Sequence, residues 1–199
     1  MMKEKAERRL IDIRAAEGVD DKMVIEGYAI TYDKPATHEI GGRKFTETIK
    51  RGALDKTDMK DVPLRYNHND NVMIMARTRN KSLQLIKDEK GLKVIAELLD
   101  TQSNRDLYKA IKEGLIDKMS FAFTVADNGD TWSFGKDETK RDVTNIAKLW
   151  DVSVVDTPFY DSTSIYARSL ELLDSEKRRL DSLREKELLK QKIMLKSKL

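Results

Sequence analysis

The run from Met119 to Val125 constrains the fold most tightly, because apolar Met119, Phe121, Phe123 and Val125 alternate with Ser120, Ala122 and Thr124. Successive side chains of a strand point to opposite faces, so this alternation predicts a β-strand whose aromatic face is buried and whose Ser120 looks outward. Gly114, a few residues earlier, supplies the stop of a preceding helix, so the serine stands at the head of a strand that a helix delivers. A serine in such a place is ordinarily a polar residue on a wet face. It becomes a nucleophile only if the fold brings it a base.

The rest of the chain reads as further short strands. Strand character runs over Met23 to Thr31, Phe45 to Ile49, Leu64 to Tyr66, Leu83 to Ile86, Leu92 to Leu99 and Ile146 to Val155. Asp88-Glu89-Lys90-Gly91 is a hairpin signal, and Asp127-Asn128-Gly129-Asp130 is a turn before Trp132 to Phe134 and a charged loop. Residues 52–59 have the spacing of one or two helical turns. Leu107, Tyr108, Ala110 and Ile111 have that of a full helix, with Ser103 and Asp106 as a capping pair. In the last strand, Trp150, Val152 and Val154 fall on one face and Asp151, Ser153 and Val155 on the other. About seven short strands with few helices predict a mainly β, α+β fold: a closed or nearly closed β-barrel with helices packed outside.

Hydrophobic content of 39% against 37% charged residues is lean for a barrel core, so part of the chain belongs outside it. The first twenty residues read as a charged arm, residues 21–168 as the barrel domain, and residues 169–199 as a helical tail. That tail lacks glycine, proline and aromatics and laces leucines among charges. Leu173, Leu180 and Met194 keep a seven-residue register that Glu187 breaks, which suits an exposed helix or a partner-binding arm.

Composition also removes chemistry. With no cysteine there is no thiol nucleophile, disulfide or thiolate zinc site. A net charge of +3 gives no argument for nucleic acid. No apolar run approaches the roughly 18 residues of a membrane span, and the charged start has no signal-peptide core, so a cytosolic protein is expected. The two histidines, His38 in a loop and His68 at a strand end, belong to no spaced ligand set, so no metal or other cofactor is predicted. Neither a glycine-rich phosphate cradle nor a nucleophile-elbow pattern is present. A serine mechanism can use His68 as base and needs a third group to orient the imidazole, if the fold brings the three together. Asp151 shares the parity of Ser120, opposite the apolar residues of its strand, but Asp70, Glu97 and Asp142 are also available and spacing does not choose among them.

Several segments in order carry a resemblance: Glu26-Gly27-Tyr28-Ala29, Phe45 to Ala53, Asn67-His68-Asn69, Ala76-Arg77-Thr78, Leu83 to Gly91, Gly114 to Phe123, and Asp151-Val152-Ser153-Val154-Val155 with Pro158. Over about residues 8–168 the chain resembles the prohead maturation proteases of tailed bacteriophages, which are similar to the herpesvirus assemblins. The resemblance implies an assemblin-like serine endopeptidase that works inside the assembling prohead in the host cytoplasm. It would remove scaffold, or the scaffolding segment of the coat protein, and cleave itself; its partners are the major capsid or scaffold protein, and its state a homodimer. By position, His68 matches the histidine of the family's Asn-His motif and Ser120 the serine of its Met-Ser-Phe motif. Asp151 falls where the family usually has glutamate and the assemblins a second histidine. The oxyanion donors would lie in the loop after that strand, around Asp156 and Thr157. A different reading is a barrel that has lost activity and serves as an internal scaffold; another is an esterase using the same serine.

Overall fold

The computed structural model describes residues 7–16, 22–40, 43–135, 138–156 and 163–196, and shows a mainly β protein with two α-helices among them. In chain order the strands are β1 (Glu7–Ala15), β2 (Val24–Thr31), β3 (Ala36–Ile40), β4 (Arg43–Ile49), β5 (Pro63–Tyr66) and β6 (Ala76–Arg77). They continue with β7 (Leu83–Lys87), β8 (Gly91–Glu97), β9 (Lys118–Val125), β10 (Asp130–Phe134), β11 (Glu138–Val143) and β12 (Ile146–Val155). Helix α1 (Gln102–Lys112) precedes β9, and α2 (Thr163–Lys196) follows β12.

Eight strands form one sheet in the order β6-β5-β12-β9-β1-β2-β8-β7. Its end strands β6 and β7 are joined by the short 3-10 turn Thr78–Asn80, after which Lys81 turns the chain with φ 65°, and Arg77 N donates to Ser82 Oγ at 2.9 Å. The sheet thus rolls into a nearly closed barrel. Its interior is filled by the apolar face of each strand, including Ile25, Leu64, Leu92, Met119, Phe123 and Val152, all fully buried. Phe121 and Phe123 stack at 5.3 Å in this core.

A second sheet, in the order β10-β11-β4-β3, is a separate hydrogen-bonded ladder that contributes Ile49 and Val143 to the same core. Phe45 stacks on Trp132 at 5.7 Å and Trp132 on Phe134 at 6.0 Å. Arg141 lies over the Trp132 ring and donates to Glu47 and Asp130. The guanidinium is 3% exposed, which is tolerable only because its charge is answered from both neighbouring strands.

Four expectations are revised. The stretch read as part of an arm is strand β1, which pairs with β9 on one side and β2 on the other; Ile13 is buried in the core, an alternation that the density of charge obscured. The charged loop after Phe134 contains β11, whose buried residues are the ion-paired Arg141 and, at its end, Val143. The cap of α1 is Thr101, whose side chain accepts from Asn104 N at 3.3 Å; Gly114 ends that helix with φ 71°, a left-handed conformation that glycine takes without a Cβ clash. Residues 51–56 make consecutive turns rather than helix, and Asp58 then bridges to Lys148.

Among the described residues no helix is long and apolar enough to cross a membrane. Since Phe121 is 1% exposed and rests on Phe123, Phe121→Ala should destabilise the fold by about 3–5 kcal/mol. Urea unfolding would show it as a lower midpoint at an unchanged slope.

Candidate active site

Strands β9, β12 and β5 are hydrogen-bonded neighbours, and their register places the chemistry. Ser120 on β9 lies opposite Ser153 on β12, and Ser153 lies opposite Arg65 on β5. Asp151 lies opposite Ala122, so it is on the same face as Ser120 one pleat along. A bulge between Leu149 and Asp151 sets this arrangement. Leu149, opposite Phe123, takes the core place, while Trp150 donates its indole N–H to Thr124 Oγ1 at 2.7 Å. Trp150 therefore accompanies Thr124, not Val152 and Val154 as simple alternation predicts.

His68 enters from the turn after β5. Strands lie about 4.8 Å apart, so an imidazole rooted at the end of β5 must reach across β12 to touch β9. It does so directly over Ser153. His68 Nε2 is 2.7 Å from Ser120 Oγ, and Nδ1 is 2.5 Å from Asp151 Oδ1. An ionised carboxylate only accepts, so Nδ1 carries the proton and Nε2 of the neutral ring is left to accept from the Ser120 hydroxyl. Ser120, His68 and Asp151 are 1%, 6% and 2% exposed, so these contacts are sheltered from water. The serine predicted to face outward is instead covered in this conformation.

The turn that presents His68 is strained. Asn67 and His68 have φ of 51° and 53°, a region costing non-glycine residues roughly 1–3 kcal/mol each, although asparagine and histidine are among the more tolerant. Six hydrogen bonds hold it, each worth about 0.5–1.5 kcal/mol net. Asn67 N donates to Val154 O at 2.9 Å, His68 N to Ser153 Oγ at 3.2 Å, and Asn69 N to Tyr66 O at 3.0 Å. Arg65 donates to Asn69 O at 3.2 Å. The Asn67 amide and Asp156 exchange two more: Asn67 Nδ2 donates to Asp156 Oδ1 at 3.0 Å, and Asp156 N donates to Asn67 Oδ1 at 3.2 Å. Tyr66 adds its hydroxyl to Asp156 Oδ2 at 2.6 Å.

Asp156, predicted as an oxyanion donor, thus has its N–H directed to the Asn67 side chain and anchors the histidine turn; it could serve an oxyanion only by giving up that bond. Thr157 lies outside the described residues. The other carboxylates weighed as orienters are engaged elsewhere: Asp70 with Arg65 at 3.1 Å, Glu97 with Lys22 at 3.0 Å, and Asp142 with Lys50 at 3.1 Å. His38 is on β3 in the second sheet. Sequence reasoning missed Ser153, Arg65, Tyr66 and Asn67 as parts of the site; the parity shared by Ser153 and Asp151 was the signal available for the first of them.

A family model described as caudovirus prohead serine protease matches residues 9–177. Among solved structures, that of the bacteriophage T4 capsid assembly protease, gp21, is similar at 12% identity, covering 77% of this chain and 99% of that chain with a TM-score of 0.43. No curated protein matches the sequence.

The Asp156 carboxylate, accepting from the Tyr66 hydroxyl, pushes the phenol up to about 12 from an ordinary value near 10. A folded-state value above the unfolded one means that this contact stabilises fully below pH about 10 and is lost as pH rises through about 12. Ultraviolet difference titration of the Tyr66→Phe variant against the parent should isolate one phenol ionising near 12, with the two proteins converging in stability across that window.

Proposed function

The chain belongs to the caudovirus prohead serine proteases, and from that premise we propose that Ser120 is its nucleophile, His68 its general base and acid, and Asp151 the group that orients the imidazole. The enzyme is a serine peptidase of capsid maturation. One observation carries the assignment of residues: the unbroken hydrogen-bonded line from Ser120 Oγ through both ring nitrogens of His68 to the Asp151 carboxylate.

Each step follows from that line. Ser120 Oγ attacks the carbonyl carbon of the scissile peptide while its proton passes to His68 Nε2. The tetrahedral species collapses, the C–N bond breaks, and His68 gives the proton to the departing amine. Water then attacks the acyl-serine ester, its proton taken by Nε2 and returned to Ser120 as the acid product leaves. Throughout, Asp151 accepts from Nδ1–H, which keeps Nε2 free as an acceptor and stabilises the imidazolium when it forms. An aspartate is one methylene shorter than glutamate, and here β12 brings it near enough for a 2.5 Å contact.

The substrates we assign are the scaffold or the scaffolding segment of the major capsid protein, together with this chain itself, acted on inside the prohead as a homodimer. What supports a polypeptide substrate is the family; against the reading of an inactive scaffold barrel stands the presence of all three side chains in hydrogen-bond reach. In α2, Leu183, Leu188, Leu189 and Met194 are exposed, as suits an arm that engages a partner.

Coexpression with the phage capsid protein tests the assignment. Ser120→Ala should abolish capsid-protein cleavage and fluorophosphonate labelling; undiminished cleavage would remove Ser120 from the mechanism. Asp151→Asn, which favours the wrong tautomer, should lower kcat by roughly 10⁴ while leaving the fold intact. Truncation after residue 169 should reduce incorporation into proheads and spare cleavage of a short peptide, and loss of peptide cleavage would contradict a tethering role for the tail.

A further inference from the structure

We infer that Ser153 is a positioning residue of the active site, locking the carboxylate, the imidazole and the strained histidine turn to one strand. The inference rests on the assignment of Ser120, His68 and Asp151 above. Ser153 is fully buried on β12, directly between the strand that carries Ser120 and the strand that leads to His68. Its hydroxyl is 2.9 Å from Asp151 Oδ1, 3.2 Å from His68 N and 3.1 Å from His68 Nδ1.

A hydroxyl has one proton to donate and two lone pairs to accept with. His68 Nδ1–H is committed to Asp151, so the Ser153 proton goes to Asp151 Oδ1 and the Ser153 oxygen accepts from His68 N–H. Asp151 Oδ1 then receives two donors, Nδ1–H and Ser153 O–H, which fix the carboxylate where the imidazole needs it. The same oxygen satisfies the backbone N–H of His68, the residue held at φ 53°. One side chain thereby controls both ends of the His68–Asp151 contact: the position of the acceptor, and the backbone that aims the ring.

Size matters as well as polarity. The imidazole crosses β12 over this position to reach Ser120 Oγ at 2.7 Å, so the residue beneath it has to be small. Alanine would fit and would leave the His68 N–H and the carboxylate without the shared partner. Glycine would fit too, with neither donor nor acceptor. Among small residues, serine supplies both bonds. The Ser153 hydroxyl is committed to Asp151 and His68, so its effect falls on the rate of the chemical step and not on the affinity for what binds.

Fluorophosphonate phosphonylation of Ser120 in the full-length protein reads this without a known substrate, since it yields a maximal rate and a half-saturating concentration separately. Ser120→Ala sets the background, and thermal melting confirms that each variant is folded. Ser153→Ala should lower the maximal rate by roughly 10- to 100-fold, the usual effect of losing an orienting partner, and leave the half-saturating concentration within about twofold. Ser153→Thr and Ser153→Val match each other in size and differ in the hydroxyl; the threonine variant should react faster than the valine variant. In proton NMR, the downfield His68 Nδ1–H signal should move or broaden in Ser153→Ala. A maximal rate within twofold of the parent in Ser153→Ala overturns the inference, as does a change confined to the half-saturating concentration, or mass-spectrometric placement of the label on Ser153. If the alanine variant fails to melt cooperatively, equal rates for the threonine and valine variants overturn it. Undiminished labelling of Ser120→Ala would instead sink the triad assignment itself.

Discussion

The hydrogen-bonded ladder that joins β5, β12 and β9 is the constraint from which the site follows. Its spacing is fixed by the peptide backbone, and so the separation between the root of His68 and Ser120 is fixed too. An imidazole is about long enough to bridge that gap, provided that nothing bulky rises from the strand in between. The site therefore needs little sculpting by loops. It needs two strands in the right register, a turn at the end of the third, and a small residue under the ring.

Burial then decides how the polar groups behave. A carboxylate removed from water is costly unless its lone pairs are answered, and Asp151 is answered on one oxygen by both His68 and Ser153. The strained pair Asn67 and His68 is offset in a similar manner. Bonds from Val154, Asp156, Tyr66 and Arg65 converge on the turn, so the ring is aimed by backbone that is held from several sides. This is the pattern expected where strain serves geometry: a conformation disfavoured locally and over-determined by its surroundings.

Much of this was legible in the sequence, for a simple reason. The alternation around Ser120 and that around Val152 and Val154 each report one strand and one buried face, and such local periodicity survives in the fold. The family resemblance supplied the order in which His68, Ser120 and Asp151 come together. What stayed hidden was non-local. In β1 buried Ile13 stands between exposed Asp12 and Arg14, and β11 buries an arginine where an apolar residue is the usual signal. The bulge that moves Trp150 out of the apolar face leaves no mark in composition. Ser153 looked like any polar residue on a strand, because its two partners lie on its own strand and on a turn more than eighty residues earlier.

The middle position of β1 in the barrel has a consequence in time. Leu10 pairs beside Ser120, and Ser120 pairs beside Ser153, so Ser120 is flanked by residues near 10 on one side and residues near 153 on the other. Contacts this distant in sequence form slowly, since a large loop must close before any of them is rewarded. A nascent chain emerging from the ribosome has Ser120 about 30 residues before it has Asp151. The hydrogen-bonded line from Ser120 through His68 to Asp151 thus cannot assemble until synthesis has passed β12.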